Sequence, residues 1–314
     1  VRYDHHPTDY DVARLENAGI EVTYRAQYID LLSTTMPRDM ILEVANWEGV
    51  VMLDDIGKAE PHMADAVPAM GVDKVWGNYG IYGEGISIAI VDTGVDNAHV
   101  GLDDMDDNQF TFDDMKVAAY YDAVQDAVIC QPCLPGESLD SGTHGTHVAG
   151  IAAGTGAGEP APDGTPHIGV APKANLVNVL SCCEGDIEDI IRGIEWTIAN
   201  QKLVTPHIRV MTSSLGEQQV EFHIDNDGSS AWSQAVDAAV ESGLVVTLSA
   251  GNEFGSLTAA GCNTIDSPGD SRLPITVASL DKDLSLAIYS SRGYTSDGRV
   301  KPDVATIGSN IMAP

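Results

Sequence analysis

The sequence predicts an α/β protein in which a parallel sheet is flanked by helices, preceded by a smaller α/β domain. Three observations carry that expectation. Short apolar runs without alternation, such as residues 86–91 (ISIAIV) and 175–180 (NLVNVL), read as strands buried on both faces. Those runs alternate with helical stretches, as an open parallel sheet with helices on both sides requires. The first 56 residues have a different texture, with short helices and strands mixed over a span that suits a two-layer module.

In the front module, 9–17 has helical spacing with Val12 and Leu15 apolar, and Gly19 is its stop signal. Residues 21–29 alternate as a strand, and 31–36 continue it or pair with it. Pro37 opens a second helix in which Met40, Ile41, Val44 and Trp47 share a face, ended by Gly49. Residues 50–53 make a last short strand. From 57 to 80 there is no clear period, and Pro61, Pro68 and several glycines suit an exposed linker. The larger domain, 81–314, then offers strands at 86–91, 175–180, 209–213, 244–249 and 275–279. Helices are expected at about 184–201 and 232–242. A sheet of this kind carries its site at the strands' carboxyl ends.

Composition narrows the function. Forty-seven acidic against sixteen basic residues leave a formal charge of −31. Such a surface repels phosphates and anionic membranes, so nucleic-acid and membrane partners are not expected. It holds water and cations, which suits a high-salt setting. No apolar run approaches the ~20 residues that cross a bilayer. The chain starts at Val1 without an initiator Met or signal segment and reads as processed or clipped at both ends. Five cysteines fall as Cys130-x-x-Cys133, Cys182-Cys183 and Cys262. Disulfides between the Cys130 loop and the Cys182 loop are the preferred reading and would suit an exported protein. A zinc site at the C-x-x-C pair and unpaired thiols are the alternatives.

Four polar elements stand at strand or helix ends. Asp92 follows the 86–91 strand within VDTGVD, where a turn or helix-cap role is the plain reading. In DSGTHGTHVAGIAAG, His144 opens a helix of small residues. The His144–His147 step of three, with Gly145 after the first, does not fit the zinc-protease pattern. A general base near its natural pKa is the better use of His144. In LSAGNEFG, Asn252 follows a strand, and its amide can donate to a developing oxyanion. MTSSLG ends another strand and leaves backbone groups for an extended peptide. A nucleophile is lacking: Ser290-Ser291 is the only candidate serine, and no small-residue helix places it.

Taken in order, VDTGVD, HGTHVAGIAAG, SSLG, SAGN and KPDV make the chain resemble a subtilisin-like serine protease (a subtilase). The resemblance implies a subtilisin-like fold and a serine endopeptidase acting on extended polypeptides through an Asp-His-Ser triad. On that resemblance Asp92 orients the imidazole, His144 is general base and acid, and Asn252 is the oxyanion donor. Ser213, Ser214, Leu215 and Gly216, with Ala250 and Gly251, would line the substrate cleft. In the family a Gly-Thr-Ser supplying the nucleophile follows the KPDV and N-I-x-A-P run, and this sequence stops before it. The chain itself is therefore expected to be inactive, unless it is a non-catalytic peptide-binding or inhibitory relative. Residues 1–56 resemble the family's propeptide, which assists folding and blocks the cleft. The stretch after Asp55 would then lie in the cleft and be cut between 56 and 70. Glu253 beside Asn252 raises the idea of a basic side chain before the cut.

No cofactor is needed for this chemistry, but structural calcium is a further expectation. The family's usual ligand after the catalytic aspartate's turn is missing, since His99-Val100-Gly101-Leu102 stands there. Asp103, Asp104, Asp106 and Asp107, with Asn108, could hold the ion instead, because hard cations favour oxygen clusters. A solvated acidic face is the plainer reading of that run. The 159–167 loop could complete such a site. A secreted, salt-adapted protein is the localisation expected.

Overall fold

A computed structural model describes residues 1–53, 59–61, 70–106, 114–158, 166–182, 186–217, 226–254, 264–281, 283–309 and 313. Its centre is an eight-stranded sheet. Numbered along the chain, its strands are β1 (Ser87–Asp92), β2 (Val117–Asp122), β3 (Ala127–Cys130), β4 (Asn175–Leu180), β5 (Ile208–Ser213), β6 (Val245–Ser249), β7 (Ile275–Leu280) and β8 (Val304–Ile307). Their order across the sheet is β8-β7-β6-β5-β1-β4-β2-β3. Every pairing is parallel except β2 with β3.

Every residue of β1 and β2 is buried. That follows from helices covering both faces, so unbroken apolar runs are what these strands require. On one face, helices Ile187–Asn200 and Ala231–Glu241 pack Ile190, Ile191, Ile194, Trp232 and Val236 against Val177, Val179 and Met211. On the other, the slim helix His144–Ala153 sets Val148, Ala149 and Ala153 against Ile88, Ile90 and Leu176. Small side chains let its backbone approach the sheet closely.

The front module has its own small core of Val1, Tyr3, Leu15, Ile20, Leu32 and Val44. Helix Asp9–Asn17 is capped by Asp11, whose Oδ2 accepts the Thr8 N–H at 2.8 Å. Strand Arg2–Tyr3 pairs antiparallel with Val50–Met52, and Glu21–Arg25 with Leu32–Thr35. The module rests on helix Ile187–Asn200. There Glu195 Oε1 accepts the N–H groups of Gln27 (2.5 Å) and Tyr28 (2.7 Å), and the Tyr24 hydroxyl donates to Oε2.

Several expectations change. The span read as an exposed linker carries strand Ala59–Pro61 and helix Val72–Tyr79. That helix is anchored by Trp76 Nε1–H donating to the Val170 carbonyl at 3.1 Å. Ile41, assigned to a buried face, is 41% exposed, because the turn Arg38–Met40 is a 3₁₀ helix and the α-helix after it spans only Ile41–Val44. The sequence reading also lacked β2, β3 and β8. The preferred disulfide is overturned: Cys130 and Cys133 bond to each other, with Cα atoms 5.0 Å apart, and cannot hold the Cys182 loop or a zinc ion. Cys182 is in a separate disulfide, and Cys183 and Cys262 lie outside the described residues.

Candidate active site

Parallel strands bring three sequence segments to one end of the sheet. Asp92 ends β1, Ser213 ends β5 and Ser249 ends β6, and in sheet order these strands are neighbours. Asp92 is fully buried, and its Oδ1 accepts the Thr93 N–H at 2.7 Å. Its backbone carbonyl accepts the N–H groups of Ser181 and Cys182, so the strand end is held from both sides.

His144 is the first residue of its helix, and its Nδ1 lies 2.7 Å from Asp92 Oδ1. The side chain of His144 is 9% exposed and that of Asp92 0%. An imidazole so held has its tautomer fixed, with the proton on Nδ1 facing the carboxylate and Nε2 left as the basic nitrogen.

Sequence reasoning missed the residue that joins these two. Asp140 Oδ1 accepts from Thr93 Oγ1 (2.7 Å) and from the Gly142 N–H (2.8 Å). Its Oδ2 accepts the Thr146 N–H (2.8 Å) and hydroxyl (2.5 Å). One carboxylate thus ties the loop after Asp92 to the first turn of the His144 helix. The signal was present, because an acidic residue just before a helix satisfies its unpaired N–H groups. Thr93 Oγ1 adds a bond from the Gly145 N–H at 2.9 Å.

Asn252 follows β6 and is exposed. The backbone before it is fixed by Ala250 N–H to the Val277 carbonyl (3.0 Å) and by Ser291 N–H to the Gly251 carbonyl (2.9 Å). Gly251 has φ +104°, a conformation that suits glycine. Ser290 and Ser291, the candidate serines, are buried braces. Ser290 Oγ accepts the Ser279 N–H and Ser291 Oγ accepts the Glu253 N–H.

Beyond Ser213 and Ser214, strand Leu215–Glu217 pairs antiparallel with Ala59–Pro61. The register sets Leu215 against Pro61, Gly216 against Glu60 and Glu217 against Ala59. Backbone groups read as open to an extended peptide thus face an extended segment of the same chain.

Two of the acidic run, Asp104 and Asp106, bring carboxylate oxygens within 4.8 Å of one another and of Asp114, which the sequence reading had not named. Asp103 is outside this group, and its Oδ1 accepts the Asp104 N–H at 3.0 Å. Asp107, Asn108 and most of the 159–167 loop lie outside the described residues. Three hard oxygen donors fit calcium and not a soft metal.

An eight-stranded, mostly parallel sheet flanked by helices, with Asp92 and His144 hydrogen-bonded at one end, is an α/β arrangement of the subtilisin-like kind. The family model for the subtilase family matches residues 83–313, and the chain belongs to that family. It is 32% identical over 242 residues to serine protease AprX of Bacillus subtilis (strain 168), covering 74% of this chain and 48% of that protein. It is 27% identical over 290 residues to subtilisin E of the same strain, covering 90% of this chain and 64% of that protein. The chain thus spans about half to two thirds of these relatives. Its fold also matches the structure of the Clostridium perfringens CspB protease, with a TM-score of 0.63 at 18% identity, over 78% of this chain and 81% of that one.

Proposed function

We propose that the protein is a secreted serine endopeptidase made as a precursor whose front module blocks its own cleft. The observation that carries this reading is the His144–Asp92 hydrogen bond of 2.7 Å beside a strand edge already occupied by Ala59–Pro61. Asp92 holds the imidazole in one tautomer and stabilises the imidazolium. His144 Nε2 takes the nucleophile's proton and returns it to the leaving amine. Asn252 donates to the oxyanion, and Ser213–Gly216 with Ala250 and Gly251 align the substrate as an added strand. The nucleophile of this reading is a serine hydroxyl within reach of His144 Nε2.

Strand Ala59–Pro61 runs with its C-terminal end toward Ser214 and the end of β1. The bond presented to His144 on this reading lies C-terminal to Pro61, within the 56–70 span. Calcium held by Asp104, Asp106 and Asp114 would be structural, and chelation should lower the melting temperature without touching the His144–Asp92 pair. The −31 charge suits export into concentrated salt.

The test is to express the whole reading frame in molar salt. Self-cleavage between Pro61 and Met70 and hydrolysis of an unfolded protein are expected, and both should be lost in His144→Ala. Absence of both activities in the unaltered protein overturns the reading in favour of a peptide-binding relative.

A further inference from the structure

The turn that delivers His144 is left-handed at a residue ill suited to it. Thr143, at the cap position of the His144–Ala153 helix, has φ +69° and ψ −19°. Among the described residues other than glycine, Asp126 and Leu284 are the others with positive φ. Aspartate visits that region readily, and Leu284 is exposed in a bend. Thr143 is β-branched, which is where the left-handed region costs most. Its side chain does not offset that cost. Thr143 is exposed, and its hydroxyl makes no capping bond to the helix.

The neighbours of Thr143 hold it in place from both directions. Before it, the Ser141 N–H and hydroxyl each donate to the Thr93 carbonyl at 2.9 Å, and the Gly142 N–H donates to Asp140 Oδ1 at 2.8 Å. Gly142 also lies against Thr93, since a Cβ there would stand 3.1 Å from Thr93 Cγ2. After it, the Gly145 N–H donates to Thr93 Oγ1 at 2.9 Å, and the Thr146 N–H donates to Asp140 Oδ2 at 2.8 Å. The Thr143 carbonyl accepts the His147 N–H at 3.2 Å, which starts the helix ladder. Both ends of the turn are therefore fixed on Thr93 and Asp140, and Thr143 and His144 alone join them. A costly backbone conformation that persists because its surroundings over-determine it, beside a reacting group, points to function.

We infer that Thr143 is a positioning residue for the reaction. Its left-handed backbone sets the direction in which the His144 side chain leaves the chain, and so keeps His144 Nδ1 at 2.7 Å from Asp92 Oδ1. This rests on the proposed endopeptidase reading and adds a residue to it. Branching at Cβ is part of the device. A β-branched residue forced into the left-handed region has little room to drift, whereas glycine populates both signs of φ about as readily. The turn thus gives up some stability and gains a fixed imidazole. The role belongs to the backbone and the branch, not to the hydroxyl.

The experiment compares Thr143→Gly and Thr143→Val with the parent in the whole, self-processed protein. Thr143→Gly relieves the strain, so its melting temperature should equal or exceed the parent's. Its kcat should nevertheless fall about tenfold or more with KM within about threefold, because a misplacement of ~1 Å costs up to about 10²-fold. The acid limb of its pH profile should move to lower pH, since an imidazolium held less well by Asp92 loses its proton more easily. Thr143→Val, the conservative variant, keeps the branch and should rescue kcat to within about threefold and the acid limb with it. An unchanged kcat in Thr143→Gly overturns the inference, as does a loss that merely follows a lowered melting temperature. An equal loss in Thr143→Val assigns the effect to the hydroxyl and also overturns it. A second readout does not need turnover: the far-downfield proton resonance of His144 Nδ1–H against Asp92. It should be sharp in the parent and in Thr143→Val and broadened in Thr143→Gly. The same signal in all three, or none in the parent, overturns the inference. If the parent cleaves no peptide at all, the endopeptidase reading fails, and this resonance still decides the role of Thr143.

Discussion

The carbonyl oxygen of Gly94 occupies the space that a Cβ on Gly145 would need. That contact lets the helix start against the loop after Asp92, and it sets His144 Nδ1 at 2.7 Å from the Asp92 carboxylate. Gly145→Ala should therefore cost about 1–3 kcal/mol of stability by overpacking. It should cost more in chemistry, because misplacing a catalytic group by ~1 Å can lower a rate about 10²-fold. Thermal melts and peptide hydrolysis on the whole protein measure both. Hydrolysis within threefold of the parent would show that the close approach does not position His144.

Asp92→Asn tests the tautomer argument. An amide in place of the carboxylate can present its NH₂ to Nδ1, which then holds the lone pair and leaves the proton on Nε2. The expected loss in kcat is about 10⁴-fold, the order seen when the aspartate is removed from subtilisin, a relative. KM should barely move. A raised KM with unchanged kcat would mean that Asp92 shapes binding and not proton transfer.

How much of this was legible in the sequence depends on what each signal rested on. Strand β4 and helix Asp9–Asn17 were bounded by apolar runs and a glycine stop, and both are found at the expected residues. Strand β8 (Val304–Ile307) went unnoticed because it is only four residues long and adjoins KPDV, which was read only as a motif of the resemblance. The Lys301 ammonium of that motif is buried, 2.7 Å from Asp303 Oδ2 and within reach of the Pro274 carbonyl. Strand β2 escaped because VAAYYD carries alanines and tyrosines where β1 and β4 carry Ile, Val and Leu. The strand Ala59–Pro61 could not be found from periodicity, since its partner is Leu215–Glu217 and nothing local marks it. Asp140 shares that difficulty. Its meaning comes from which distant backbone groups it meets, whereas Asp92 and His144 stood in segments whose spacing was itself informative.

Asp270 offers a pH-dependent test of the turn that follows Asp266. It is fully buried, and burial pushes its carboxyl up to about 6 from 3.8, against the opposing bonds from Ser233 Oγ and the Gly228 N–H. A raised folded-state value means that the native protein takes up a proton that the unfolded chain does not hold. The stability it contributes is complete below about 3.8 and disappears as pH rises through about 6. Relative to Asp270→Asn, the parent should lose roughly 3 kcal/mol across that window at 1.36 kcal/mol per unit. The difference between the two proteins cancels the many surface carboxylates. Denaturant melts from pH 4 to 7 measure it, and a flat difference would contradict the assigned shift.

Glu195 links the front module to the same variable. Its carboxylate receives Gln27 N–H, Tyr28 N–H and the Tyr24 hydroxyl, while Glu188 Oε2 receives the Thr23 hydroxyl at 2.7 Å. Burial beneath the module raises both glutamates above the ordinary 4.5, outweighing those bonds. Undocking returns them to water and to ordinary values, so docking takes up protons. Its stabilisation is therefore full below 4.5 and is lost as pH rises through the raised values. Glu195→Ala should orphan two backbone donors and weaken docking by about 1–3 kcal/mol. Amide hydrogen exchange at Gln27 and Tyr28 in the intact chain reports both effects once intrinsic rates are removed. Protection should fall from pH 5 to 8 in the parent and be low throughout in Glu195→Ala; protection that rises with pH would reverse the sign of the linkage.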